Sequence, residues 1–268
     1  MAAEAGRIRA GIGGWTFEPW RGVFYPPGLR QADELHYASR RLTAIEINST
    51  YYSSQKPETF AKWAASTPED FVFSVKASRF ATNRKVLAQG RESMDKFLGQ
   101  GIVQLGDRLG PILWQFMATK RFEPDDFGAF LDLLPARLEG LALRHVVEVR
   151  HASFVDPKFV AMCRDHNVAI CMADHETHPC IPDITSDFVY GRLMTGRDEI
   201  ETAYPAETLD LWAERFRTYA RGEVPQDLKA VDRTSPPPGP KDVFAFVIHE
   251  GKVRAPAAAM ELIRRCDG

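Results

Sequence analysis

An α/β barrel of seven or eight parallel strands, in a single domain spanning 1–268, is the fold this sequence predicts. Three observations point to it. Short apolar runs recur, and most of them end in a polar residue. Stretches of helical period separate most of these runs. The length of 268 residues matches the ~250 that eight strand–helix units need. Strand, polar tip and helix in repetition describe a parallel barrel whose strand tips share one site.

The elements follow in order. Ile8 to Ile12 reads as the first strand, followed by Gly13-Gly14. Trp15 to Leu29, aromatic and rich in Pro and Gly, reads as a structured loop. Asp33 to Leu42 places Leu35, Tyr37, Ala38 and Leu42 on one helical stripe. Thr43 to Ile47 is a strand ending in Asn48, and Thr59 to Ala65 a short helix. Phe71 to Val75 is a strand ending in Lys76. Glu92 to Leu105 carries Met94, Phe97, Leu98, Ile102 and Leu105 at helical spacing, broken by glycines. Pro111 to Trp114 ends in Gln115, and Asp125 to Leu134 is a helix opened by Pro124.

His145 to Val149 is a strand ending in Arg150-His151, with Lys158 to Asn167 as the following helix. Val168 to Ala173 ends in Asp174. His175 to Asp187 holds two prolines and no helical period, which predicts a crossover made of a loop or a single turn. Phe188 to Gly191 ends in Arg192. Thr208 to Ala220 is a helix with Leu209, Leu211, Trp212, Phe216 and Tyr219 on its apolar side. Ser235 to Pro240 is a proline-stiffened loop, Val243 to Ile248 the closing strand, and Ala257 to Arg265 the closing helix. Some helices are therefore short or missing.

A hydrophobic content of 44% supplies a sizeable core, and a formal net charge of -2 argues against a nucleic-acid coat or a membrane-surface protein. No apolar run approaches the ~20 residues that span a bilayer. Met1 to Arg9 lacks the apolar centre of a secretory signal. Cys163, Cys171, Cys180 and Cys266 form no CxxC pair, which predicts free thiols in a reducing, cytoplasmic setting.

Strand parity selects the site candidates. Glu46 and Asn48 lie two apart on one strand and face the same way, while Ile45 and Ile47 face the helices. An acid inside a barrel needs a partner, so Glu46 is either functional or part of a salt bridge. Lys76, at a strand end, suits anion binding, or proton transfer if its pKa is lowered. Glu148 and Arg150 again share a face. They suit either a buried ion pair or an acid beside an anion-binding guanidinium at a wet, ligand-ready mouth, and the wet mouth is expected here. His151 could move protons or ligate a metal. Asp174-His175-Glu176-Thr177-His178 has metal-ligand composition but no metal-site spacing, which reads as a polar loop. Trp15, Trp20, Phe24 and Tyr25 form either a small aromatic core over the mouth or a stacking surface.

Several blocks resemble the YecE-like proteins, a bacterial family known as a domain of unknown function. They are Gly11 to Trp15, Trp20 to Pro26, Leu35 to Ala38, Glu46 to Tyr52, Phe71 to Ala77, Leu109 to Phe116 and Val147 to His151, in family order. The resemblance implies a TIM-like barrel with shortened helices and no established reaction. It places the family's recurrent polar residues on Glu46, Asn48, Thr50, Lys76, Gln115, Glu148, Arg150, His151, Asp174 and Arg192. The C-terminal third departs from the family pattern. Met194-Thr195 stands where a His-Gly pair is usual, His249-Glu250 where asparagines are usual, and Pro256-Ala257-Ala258 where an Asn-Ala pair opens the last helix.

These readings converge on an enzyme, a hydrolase or lyase using carboxylate acid/base chemistry, with a phosphorylated or nucleotide-like substrate at the strand tips. Glu46, Lys76, Glu148 and His151 are the catalytic candidates. Trp15, Asn48, Tyr51, Gln115, Arg150, Asp174 and Arg192 are the substrate-binding candidates. The expected partner is a small anionic ligand, with no membrane, no extended nucleic acid, and neither metal nor cofactor. One alternative is a metal-dependent phosphodiesterase resembling apurinic endonucleases, using His151, Asp174, His175 and His178. Another is a non-catalytic accessory protein that binds a metabolite.

Overall fold

The computed structural model describes residues 5–267, so the reading of Met1 to Arg9 falls partly outside it. Ten strands run in chain order: β1 (Ile8–Gly13), β2 (Ala44–Ile47), β3 (Val72–Lys76), β4 (Leu109–Gln115), β5 (Arg137–Leu138), β6 (Leu141–Ala142), β7 (His145–Glu148), β8 (Ala169–Asp174), β9 (Phe188–Thr195) and β10 (Asp242–Glu250). Eight of them close a barrel in the order β1-β10-β9-β8-β7-β4-β3-β2. Every pairing in the ring is parallel, and β1 against β10 shuts it. β5 and β6 form a separate antiparallel hairpin, turned by Glu139 (φ 47) and Gly140 (φ 88).

Parallel strands need crossovers, and the crossovers carry the helices outside. These are α1 (Glu34–Ala38), α2 (Pro57–Ala65), α3 (Arg79–Thr82), α4 (Arg91–Leu98), α5 (Pro124–Leu131), α6 (Pro157–Asp165), α7 (Ala206–Ala220) and α8 (Ala255–Asp267). Proline opens α2, α5 and α6, where its missing N–H has no intrahelical partner to lose. Asp156 caps α6 by accepting from the Lys158 N–H at 2.7 Å. Among the described residues, no helix lies between β8 and β9. None is long and apolar enough to cross a membrane.

The strands are buried on both faces, so two apolar shells form. Inside the barrel lie Val72, Leu113, Val146, Ala169, Cys171, Phe188, Tyr190, Phe244 and Phe246. Outside, Ile45, Ile47, Phe73, Val75, Trp114 and Val147 pack under the helices. Phe116, Phe127, Phe154 and Phe159 tile one sector of that outer shell, with ring centroids 5.0–6.5 Å apart. The buried Trp114 indole donates to His145 Nδ1 at 3.1 Å. Burial pushes the His145 imidazole down to about 4, so the ring stays neutral and its Nε2–H serves the Pro135 carbonyl at 2.8 Å. Gly11 lets β1 approach β2, since a Cβ there would stand 1.8 Å from the Ala44 carbonyl oxygen.

The helix expected over Asp33 to Leu42 begins as a 3-10 turn at Gln31–Asp33, and only Glu34–Ala38 is α-helical. The stretch from Glu92 to Leu105 splits at Gly99 and Gly101 (φ 101) into α4 and a 3-10 segment, Ile102–Arg108, kinked at Gly106. α3 and the β5–β6 hairpin are too short to show a period in the sequence. All four cysteines are free. Burial pushes the Cys163 and Cys171 thiols well above their ordinary value.

Candidate functional site

β-strand alternation turns every second side chain into the barrel. It places Glu46 of β2, Ser74 and Lys76 of β3, Gln115 of β4, Glu148 of β7, and Tyr190 and Arg192 of β9 on the inner face near the C-terminal strand ends. Two of these, Glu46 and Glu148, are fully buried carboxylates, and Arg192 lies between them. Its Nη2 donates to Glu46 Oε1 at 3.0 Å, and its Nη1 donates to Glu148 Oε2. Tyr190 donates its hydroxyl to Glu46 Oε2 at 2.6 Å and meets Ser74 Oγ at 2.8 Å. Gln115 Nε2 donates to both Glu148 oxygens, at 3.0 and 2.9 Å, and Arg150 Nε donates to Oε1 at 2.7 Å.

Every carboxylate oxygen is thus occupied, as burial demands. Burial alone would push the Glu148 carboxyl up. Arg192, Arg150 and the Gln115 amide outweigh it and hold the group at about 2. Burial likewise works against the Arg192 charge, but Glu148 and Glu46 raise its pKa above the ordinary value. The Tyr190 phenol is pushed well up, first by burial and then by Glu46. Its proton stays on the oxygen. The expected wet Glu148–Arg150 mouth is therefore corrected for Glu148. Barrel closure seals its carboxylate under Gln115 and Arg192, and only Arg150 reaches the opening, with 26% of its side chain exposed.

Above this layer lies a cavity of about 570 Å³, lined by Asn48, Lys76, Gln115, Arg150 and Arg192, with Trp20, Tyr52, His249 and Lys252 on its walls. Lys76 is 8% exposed. Among the described residues its ammonium has no hydrogen-bond or ion-pair partner. It sits over the Tyr51 ring at 4.2 Å from the centroid. Burial, with the nearby Arg192 charge, lowers its pKa to about 8. Thr50 braces the same strand end by donating to the Lys76 carbonyl at 2.7 Å.

Glu46, Lys76, Gln115, Glu148, Arg150 and Arg192 come together, with Asn48 at the cavity wall and Tyr51 beneath Lys76. Trp15, His151 and Asp174 do not join them. Trp15 packs edge-on against Trp63 (5.1 Å) and Phe73 (6.2 Å), outside the barrel. His151 falls on the opposite parity from Glu148 and Arg150. It caps the Ala152–Phe154 turn, its Nδ1 accepting from the Ser153 N–H at 3.1 Å. Asp174 follows the inward Ala173 and so points outward, where Thr195 donates to it at 2.6 Å and Tyr204 at 3.4 Å. His175 and His178 stack at 3.6 Å, and among the described residues no three His, Cys, Asp or Glu side chains are grouped to hold a metal ion.

Tyr190 and Lys252 had no sequence signal. Tyr190 reads as one more core aromatic, and its partner Glu46 is 144 residues away. Lys252 is brought to the mouth by the first loop, whose Trp20 indole donates to the Lys252 carbonyl at 2.8 Å. That loop buries Trp20, Phe24 and Tyr25 as a small aromatic core.

Comparison with known proteins places this barrel in a family. Escherichia coli UPF0759 protein YecE is 30% identical over 150 residues, 55% of this chain and 50% of its own. The chain therefore spans about half the length of the curated relatives it matches. A DUF72 family protein of Thermotoga maritima MSB8 superposes with a TM-score of 0.74 at 22% identity, over 98% of this chain and 100% of that one. One from Enterococcus faecalis V583 gives 0.69 at 14% identity, over 98% of each chain. The family model described as protein of unknown function DUF72 matches residues 9–268. The chain belongs to the DUF72 family, and the barrel is that family's fold.

Proposed function

We propose that this protein is an enzyme whose substrate is a small anion, phosphorylated or nucleotide-like, bound in the cavity at the C-terminal ends of the strands. What carries the reading is Lys76, a cation held in the cavity wall without a counter-ion, beside the open edge of Arg150. The two carboxylates that could neutralise Lys76 are spent on Arg192, Arg150, Gln115 and Tyr190. The cavity therefore keeps an uncompensated positive charge, and an incoming anion completes it.

The same geometry supports a different division of roles within the site. Glu46 and Glu148 are positioning residues that fix Arg192 and Arg150. Lys76, with its pKa near 8, is the group suited to proton transfer, because roughly a tenth of it is neutral at pH 7. Inorganic phosphate is the first probe. At ~100 times its dissociation constant it should stabilise the fold by ~2.7 kcal/mol, and Arg150→Gln should weaken the response. No thermal shift with phosphate, sulfate or mononucleotides would sink the reading. A shift with every ligand tried and turnover of none would favour the accessory binding protein.

A further inference from the structure

We infer that Lys76 is a nucleophile that forms an imine with a carbonyl carbon of the substrate, so that the substrate class is an aldehyde or ketone that also carries an anionic group. This rests on the anion-binding reading above and specifies the chemistry of the same cavity.

A lysine whose task is structural is normally paired, and a lysine that only attracts anions is best left solvated and fully charged. Lys76 is neither. Its side chain is drawn inside the barrel end at 8% exposure, yet it lines an open cavity. All four oxygens of Glu46 and Glu148 are occupied by other donors. Arg192 is fixed close by and disfavours a second charge. Desolvation beside another cation is the arrangement that lowers an amine's pKa and gives it a neutral, nucleophilic fraction near neutral pH. Arg150, with one edge tied to Glu148 and the other facing the cavity, supplies the grip for the anionic group.

The step balances with no further reagent. The Nζ lone pair attacks the carbonyl carbon and the C–N bond forms. The Nζ proton passes to the former carbonyl oxygen. The C–O bond then breaks, the oxygen leaves as water after taking a second proton from solvent at the open mouth, and the protonated imine remains. Nothing is oxidised or reduced.

The experiment uses the full chain and pyridoxal 5′-phosphate, an aldehyde that carries a phosphate, beside pyridoxal, which does not. Each is mixed with the protein and reduced with borohydride, and the labelled lysines are mapped by peptide mass. Lys76 should be labelled ahead of the exposed Lys56, Lys62 and Lys85. At Lys76 alone the phosphate should accelerate labelling about tenfold, the equivalent of one charge-assisted contact. Lys76→Arg should lose this label while still unfolding cooperatively in urea. Labelling of Lys76 no faster than of the exposed lysines, with phosphate still stabilising the fold, would overturn the imine and leave the anion site standing. Absence of phosphate stabilisation in the parent would instead remove the anion site.

Discussion

Replacing Glu148 by glutamine tests whether the polar layer of the barrel is scaffold. The carboxylate is fully buried and shared by Arg192, Arg150 and Gln115. Its pKa of about 2, against an ordinary 4.5, corresponds to ~3 kcal/mol favouring the ionised form, at about 1.36 kcal/mol for each tenfold change in acidity. Breaking a buried pair by removing one partner costs ~3–5 kcal/mol, so both routes agree. Glu148→Gln leaves two guanidinium groups facing a neutral amide. The expected result is a urea midpoint lowered by that amount with an unchanged slope. The carboxyl is depressed in the fold, so between pH 4.5 and about 2 the unfolded chain binds a proton that the folded chain refuses. The stabilisation is complete above that window and disappears as pH falls through it. Glu148→Gln should flatten acid sensitivity there. A loss of ~1 kcal/mol or less, as for exposed pairs, or acid sensitivity equal to the parent's, would refute the buried-scaffold argument.

Three further outcomes follow from the same geometry. Lys76→Met should be more stable than the parent at pH 7 and should lose phosphate stabilisation; parent stability should rise between pH 8 and 10.5, where the unfolded chain alone holds the proton, and the variant should not share that rise. His151→Ala should cost ~1 kcal/mol through the lost cap on the Ala152–Phe154 turn, with an unchanged phosphate response in a thermal-shift titration; a lost response would return His151 to the site. Gly11→Ala forces a Cβ to within 1.8 Å of the Ala44 carbonyl oxygen, and thermal unfolding should show a loss near the upper end of overpacking costs, ~3 kcal/mol. A loss under 1 kcal/mol would mean that β1 and β2 part easily.

The barrel was legible in the chain because its signal is local. Each strand tip, from Asn48 and Lys76 to Arg150 and Arg192, sits beside its own apolar run, and helical period fills most of the gaps. Inward parity was legible wherever polar and apolar residues alternate, as in Ala44 to Asn48 and Val146 to Arg150. It failed at Ile170 to Asp174, where both faces of the strand are buried and every residue before the aspartate is apolar, so nothing in the run told which side Asp174 takes. The same rule already set His151 on the face opposite Arg150.

What only the tertiary structure decided is who pairs with whom. Arg192 reaches Glu46 and Glu148, and Tyr190 reaches Glu46, across the interior of a closed ring. Closure also removes water from both acids. It sets Glu46 and Glu148 against arginine, and leaves Lys76 with no counter-ion among the described residues. Charge type and strand face are properties of a short segment. Burial and the identity of a partner are properties of the ring, because they depend on strands up to 146 residues apart.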